Sequence, residues 1–412
     1  MRTVAGVAAL PLPALLRSTA VLHACASDSL VRAAGKLLSR APRAAPDLLL
    51  RQFVAGESLK DASLVAARLG SSGVRCIVDH STEEAEEEHA RQHNLDSKRT
   101  LLRTLSAALG GSCAYVPLKV TGLISPSLLE QLSVGIRRAA ASASSPHTLP
   151  DGLDEAADAA QLDSSESAQL SVSLDRMRSL CEVAADVNVG LLLDAEQNHR
   201  QPAIRLLART LALEFNASVS RPPLLFDTHQ TYLVGCYERL ADDLEHARRH
   251  GYTLGVKLVR GAYRSTEAAR DASALQPSKT ATDEAYDACA QMLLEAALAD
   301  GAPAAASLLL ATHNRASTDF IADELRSRGV RLDHPRVGFA QILGMADDLT
   351  LSLGIDGFNA YKLVTYGRNE QVLPWLLRRL EENQDALAAA AEERPLLRAE
   401  VRRRALRAIG LG

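Results

Sequence analysis

Residues 252–263 read YTLGVKLVRGAY. An apolar strand runs here into two cations, a glycine and a tyrosine. Val256, Leu258 and Val259 are strand-forming, packing residues, whereas Lys257, Arg260 and Tyr263 are costly to bury without an anionic partner. A barrel strand delivers chemistry in this way, and a bound cofactor is the expected partner.

Outward from this stretch, short apolar runs alternate with longer helical patterns, the signature of a parallel sheet with crossover helices. Eight runs are expected as strands: Val74–His80, Cys113–Val120, Val189–Glu196, Leu224–Tyr232, Leu254–Tyr263, Ser307–Asn314, Val337–Gly344 and Phe358–Gly367. Eight closes a (βα)8 barrel of the α/β class, a TIM-type fold, expected here with an N-terminal helical arm and a C-terminal helix. Polar residues gather at the C-terminal ends of the runs: Asp79-His80, Lys119, Asp194-Glu196, Asp227-His229-Gln230, Lys257-Arg260, Thr312-His313-Asn314, Gln341 and Tyr366. In this fold that rim holds active sites; the bland alternative is that each residue caps a strand or helix at solvent.

The 412 residues, 47% hydrophobic and 23% charged, suit one large domain with extensions. A net charge of -4 gives no basic stripe for nucleic acid. The six cysteines are spaced neither as a zinc site nor as a disulfide framework, and reduced, buried thiols are expected. No run supplies about 20 uninterrupted apolar residues, so no membrane span is expected.

Residues 1–46 carry Arg2, Arg17, Arg32, Lys36, Arg40 and Arg43 against Asp28 alone, the pattern of a disordered, cleavable organelle transit peptide. Ala24-Cys25-Ala26 offers a secretory alternative, which Pro11 and Pro13 interrupt. The barrel is expected over 47–390. Within it, 139–171 is small, polar and acidic, and reads as a disordered, low-complexity insertion. Residues 391–412 form a basic helix or tail that either lies on an anionic membrane surface or packs on the barrel.

There is no G-x-G-x-x-G after a strand and no G-x-x-x-x-G-K-[ST], so a dinucleotide would have to use the barrel mouth. Arg260-Gly261 suits a phosphate there, through the guanidinium and closely approached backbone N–H groups.

VKLVRGAY, LLLDAEQ, ATHN, QILGM and YG…LPWLLRRLEEN, in that order, resemble the proline dehydrogenase family, eukaryotic monofunctional type, over about residues 50–385. The resemblance implies a distorted (βα)8 barrel holding FAD. It also implies oxidation of L-proline to 1-pyrroline-5-carboxylate, by hydride transfer to flavin N5, with electrons passed to a membrane quinone. The implied setting is the matrix side of the mitochondrial inner membrane, with peripheral attachment.

A small zwitterion needs cations for its carboxylate, an acid near its amine and an apolar wall. The resemblance assigns Lys119, Arg378 and Arg379 to the carboxylate, with Glu382 holding an arginine fork one helical turn away. The alternative for Glu382 is a solvated ion pair. Leu343 and Leu363 are assigned to the ring. Leu363 occupies the family's proline-packing tyrosine position, where hydroxyproline dehydrogenases carry serine, and Tyr361 lies on the same strand face. Asp194 and Lys257 are the expected catalytic pair, Lys257 stabilising anionic reduced flavin. By itself, Asp194 reads equally as a helix N-cap. Expected flavin contacts are Ala195, Gln230, Val259, Arg260, Gly261, Ala262, Thr312 and His313, with Thr282 and Asp283 toward the adenosine. His313 alone also suits a strand-end histidine bonded to backbone. Two other activities are open: a dehydrogenase for hydroxyproline or another cyclic amino acid, and a flavin-free lyase with Lys257 as Schiff-base nucleophile.

Overall fold

A computed structural model describes residues 2–24, 47–80, 84–141, 147–217, 222–299, 306–382 and 384–409. Eight parallel strands close into a barrel in chain order: β1 Val74–His80, β2 Cys113–Leu118, β3 Gly190–Leu193, β4 Leu225–Gln230, β5 Leu254–Val259, β6 Ala306–Ala311, β7 Val337–Ile342 and β8 Ala360–Tyr366. Each expected run matches one of them, with β6 starting one residue early. The strands stop short of several expected ends because the last polar residues turn into loops.

The period of two sorts every strand between two cores. Outward residues such as Cys76, Val116, Leu193, Val256, Leu258, Leu310 and Val364 pack beneath the surrounding helices. Inward residues Ile77, Leu192, Phe226, Leu309, Ala340 and Tyr361 fill the lumen. Tyr115 meets Phe226 and Tyr361 edge-on, with ring centroids 5.2 and 5.4 Å apart. Three glycines make room for this plug: a Cβ at Gly190 would lie 2.5 Å from the Tyr115 ring, one at Gly255 3.0 Å from Phe226, and one at Gly338 2.7 Å from Tyr361. On β5 the inward series is therefore Gly255, Lys257, Val259: space for the plug, a cation above it, an apolar residue at the mouth.

Five cysteines, Cys76, Cys113, Cys181, Cys236 and Cys289, are free and buried among the described residues. Burial pushes the Cys76 and Cys113 thiols up to about 12. No helix among the described residues is long and apolar enough to cross a membrane.

The segment 139–171 differs from expectation. Its residues 142–146 lie outside the described residues, but helix Leu153–Ala160 and the start of helix Ser164–Asp186 are formed. Small residues permit this: Ala156 and Ala160 are buried, and Gly135 lies so near Ala160 that a Cβ there would meet its Cα at 2.4 Å. Asp163 and Glu166 form a capping box that starts the next helix.

The N-terminal end differs too, whereas the expected C-terminal helix is present. Residues 2–24, expected to be a disordered leader, form helices Arg2–Ala8 and Leu12–Ala24, and bury Val7, Leu15, Val21 and Leu22. The C-terminal tail is the second half of a helix running Gln384–Ala408, with Leu397 buried in the same cluster.

That last helix is fastened at a knot of charge outside β8. Lys362, fully buried, donates to the carbonyls of Ile342 (3.0 Å) and Met345 (2.7 Å) and pairs with Asp347 at 2.7 Å. Arg315 pairs with Asp348 at 2.5 Å. Buried Glu393 of the last helix accepts from the backbone N–H of Asp347 at 3.1 Å. Burial first, then the carboxylates of Asp347 and Asp348, pushes the Glu393 carboxyl well above its usual range. A raised folded-state value adds stability below the unfolded pKa of about 4.3, and that contribution is lost as pH rises through the folded value. Glu393→Gln is expected to gain Tm relative to the parent as pH rises from about 4 to 8. Thermal unfolding across a pH series checks this, and a pH-independent difference refutes it.

Candidate active site

Above the aromatic plug, the strand ends enclose a cavity of about 370 Å³. Its lining includes Lys119, Asp194, Ala195, Gln230, Lys257, Val259, Arg260, Gly261, Ala262, Thr312, His313 and Leu363. One cavity thus collects most of the residues expected at the site, drawn from six of the eight strands or the loops that follow them.

Lys257 sits at the centre, with Nζ 2.5 Å from Asp194 Oδ1. Asp194 follows β3 directly, and its backbone N–H donates to Leu118 of β2. It caps no helix, because the next one, Gln201–Phe215, begins seven residues later and has Arg200 at its N-cap. Lys119 lies 3.7 Å from Glu84, an ion pair too long for a hydrogen bond, and so is held more loosely than Lys257.

Arg260 is clamped. Its Nε donates to Asp283 at 2.6 Å, Nη1 to Thr312 at 2.6 Å and Nη2 to Ser317 at 2.9 Å, and its guanidinium lies 4.3 Å from the Tyr286 ring centroid. Asp283 accepts from Lys279 as well, at 2.6 Å. Asp283 therefore positions Arg260 and does not line the cavity. Thr282 does not line it either: its hydroxyl donates to the Ser278 carbonyl. Gly261 has φ +139°, and a Cβ there would fall 1.3 Å from the Tyr232 ring, so no side chain is tolerated. Gln230 donates to the Glu196 carbonyl at 2.8 Å and accepts from the Ala262 N–H at 3.3 Å, joining the ends of β3, β4 and β5.

His313 Nε2 accepts from the Ile342 N–H at 3.1 Å, which leaves the ring hydrogen on Nδ1. Burial first, then the Lys362 cation, pushes this imidazole down to about 3. His313 is consequently a neutral donor. Its ring bonds backbone, as a strand-end histidine does, and also lines the cavity.

Several expectations are corrected. Leu343 does not line the cavity; it lines a separate groove with Arg17, Val54 and Arg68, and Ile342 takes its place in the wall. Strand alternation accounts for the one-residue shift. Tyr361 pairs in register with Arg75, one layer below Leu363, and its hydroxyl accepts from Arg75 in the plug, so it does not replace the missing tyrosine. Asp227 and His229 point outward from β4, while Thr228 and Gln230 between and after them point in. Glu196 is buried against Thr121, and Asn314 caps helix Arg315–Ser327. Arg378, Arg379 and Glu382 lie on helix Asn369–Glu382, and their side chains fall outside the described residues.

Two other groups at the cavity had no role assigned from the sequence. Lys98 reaches in from helix Glu88–Leu109 to pair with Asp79 at 3.3 Å, and Trp375 reaches in from helix Asn369–Glu382. Both come from helices, where rim position is not written in a strand pattern.

The profile of the proline dehydrogenase family matches residues 63–391. The chain belongs to that family. It is an oxidoreductase, and residues from each of the five motifs line the one cavity. It is 34% identical to hydroxyproline dehydrogenase of Bos taurus over 95% of this chain and 90% of that protein. It is 30% identical to mitochondrial proline dehydrogenase 2 of Arabidopsis thaliana over 97% and 89%. Among solved structures, proline utilization A from Bdellovibrio bacteriovorus, inactivated by N-propargylglycine, superposes with a TM-score of 0.65 at 18% identity. That match covers 93% of this chain and 36% of the longer protein, and it supports the barrel fold.

Proposed function

We propose that this proline dehydrogenase family member oxidises L-proline to 1-pyrroline-5-carboxylate with FAD held at the barrel mouth, and passes the electrons to a membrane quinone. FAD supplies the hydride-accepting chemistry. The residues suit it: Lys257 is a mostly buried cation in the cavity, His313 offers a neutral Nδ1–H, and Arg260 is fixed at the rim beside a glycine turn. The lyase reading fits less well, because Lys257 donates to Asp194, whereas a Schiff-base nucleophile needs a free amine.

Lys119 is assigned to the substrate carboxylate together with Arg378 and Arg379, and Asp194 to the neighbourhood of the amine. The named mitochondrial relatives support a mitochondrial setting. Attachment to the matrix side of the inner membrane would be peripheral, through the exposed Arg402 and Arg403 of the last helix. Its inner side packs on the fold.

Leu363 carries the choice of substrate. It faces the cavity with Ile77, Ala340 and Ile342 in the lining around it, an apolar wall for the proline ring. A 4-hydroxyl buried there without a partner costs about 1–3 kcal/mol, roughly 5- to 150-fold in kcat/KM. Oxidation of trans-4-hydroxy-L-proline is the second reading, favoured by the similarity to hydroxyproline dehydrogenases of Bos taurus and Mus musculus. The two substrates are compared by kcat/KM. Proline is expected to lead by at least about fivefold, and Leu363→Ser to narrow the ratio. Faster turnover of hydroxyproline by the unaltered chain replaces the first reading with the second.

A further inference from the structure

The N-terminal helices are placed where the site needs support. Helix Arg2–Ala8 lies so close to helix Asp347–Ile355 that a Cβ at Gly6 would meet the Asp348 carbonyl oxygen at 2.1 Å. Helix Leu12–Ala24 buries Leu15, Val21 and Leu22 in one cluster with Met345, Val372, Leu373 and Leu376. Trp375 and Ile342 pack partly against this cluster, and both line the active-site cavity.

A polar tie reinforces the contact. Gln52, buried, accepts from Arg17 and Ser18 of the second helix at 3.2 Å and donates to the Gly344 carbonyl at 3.0 Å. Gly344 has φ +77°, and a Cβ there would fall 2.0 Å from the Gln52 carbonyl oxygen. The arm therefore grips the two segments, 342–347 and 369–382, that bring Ile342 and Trp375 to the substrate.

We propose that residues 2–24 are a positioning element of the working enzyme and not a discarded leader: they hold helix Asn369–Glu382 and the loop after β7 in register, and so fix one wall of the site. This rests on reading the cavity as the substrate site. Trp375 is the chain's single tryptophan, so its emission reports that wall directly.

The test compares the flavin-loaded full chain with Leu15→Ala/Leu22→Ala, which thins the apolar contact, and with Gln52→Leu, which cuts the tie while keeping an apolar stem. In both variants Trp375 emission is expected to shift to the red, its quenching by acrylamide to rise, and KM for L-proline to rise about tenfold with kcat nearly unchanged. That is well inside the ~10²-fold that a misplacement of about 1 Å brings. Leu22→Met, which keeps volume, is expected to match the parent. A lower Tm with unchanged emission and unchanged KM overturns the proposal and leaves the arm a plain stabiliser. If the parent fails to oxidise proline, the substrate reading falls. The emission measurement then decides the arm's role alone: a red shift upholds it and no shift overturns it.

Discussion

Lys257→Met is expected to lower kcat with L-proline by about 10²- to 10³-fold, the usual effect of removing a preorganised electrostatic group from a water-poor site. Methionine keeps the length and bulk of the stem, so Val259 above and Gly255 below keep their neighbours. The loss falls on charge. Nζ stands at the head of the plugged lumen, where low dielectric strengthens its field on any negative charge developing above it. Stability is expected to change little, because the partner left behind, Asp194, is 40% exposed and remains hydrated. Stopped-flow reduction under anaerobic conditions reads the step, with the bound-flavin spectrum as a control for cofactor retention. A rate within tenfold of the parent removes Lys257 from the chemistry.

Asp243→Asn is expected to destabilise the fold by about 3–5 kcal/mol without entering the site, the range for breaking a buried ion pair. Asp243, on helix Cys236–His250, is buried between two arginines of helix Gln201–Phe215: Oδ2 accepts from Arg205 Nε and Oδ1 from Arg209 Nε, both at 2.6 Å. Asparagine keeps the shape and leaves both guanidinium groups with Asp242 as their remaining acid. Burial alone would raise the Asp243 carboxyl, but the Arg205 and Arg209 charges outweigh it and hold it well below the usual carboxylate range. A depressed folded-state value adds stability above the unfolded pKa of about 3.9, lost as pH falls toward the folded value. Urea unfolding should therefore show a gap between parent and variant that is flat from about pH 5 to 8 and closes under acid. A small gap at neutral pH, or one that persists in acid, contradicts this account.

These two residues mark what the sequence can and cannot convey. Lys257 was legible because a cation in an apolar strand has few innocent explanations, and period-two patterning fixes which face it takes. The eight strands were legible for the same reason. Patterning says only that neighbours alternate, so it does not convey that Asp227 and His229 face away from the mouth, where His229 Nε2 lies 3.5 Å from Asp243 of the following helix. Ile342 and Leu343 exchanged roles by the same one-residue margin. The segment 139–171 looked too poor in large apolar residues to order, yet Ala160 needs only the bare backbone of Gly135 to bury itself. The arginines of residues 1–46 read as an organelle transit peptide, while the leucines and valines of residues 7–22 fill a cluster whose other members come from residues 50–54 and 345–397. Such pairings have no local signature.

The contact between the chain's two ends also sets an order of events. Arg404 donates to the carbonyls of Ala8 and Leu10, across separations of 396 and 394 residues. At a synthesis rate of about 5–20 residues per second, the first helices emerge roughly 20–80 s before the helix that closes over them. For that interval Leu15, Val21 and Leu22 have only Leu50, Phe53 and Val54 of their cluster to meet. Until residues 345–404 are made, the nascent chain therefore displays an apolar, arginine-bearing segment to whatever chaperone or receptor meets it first.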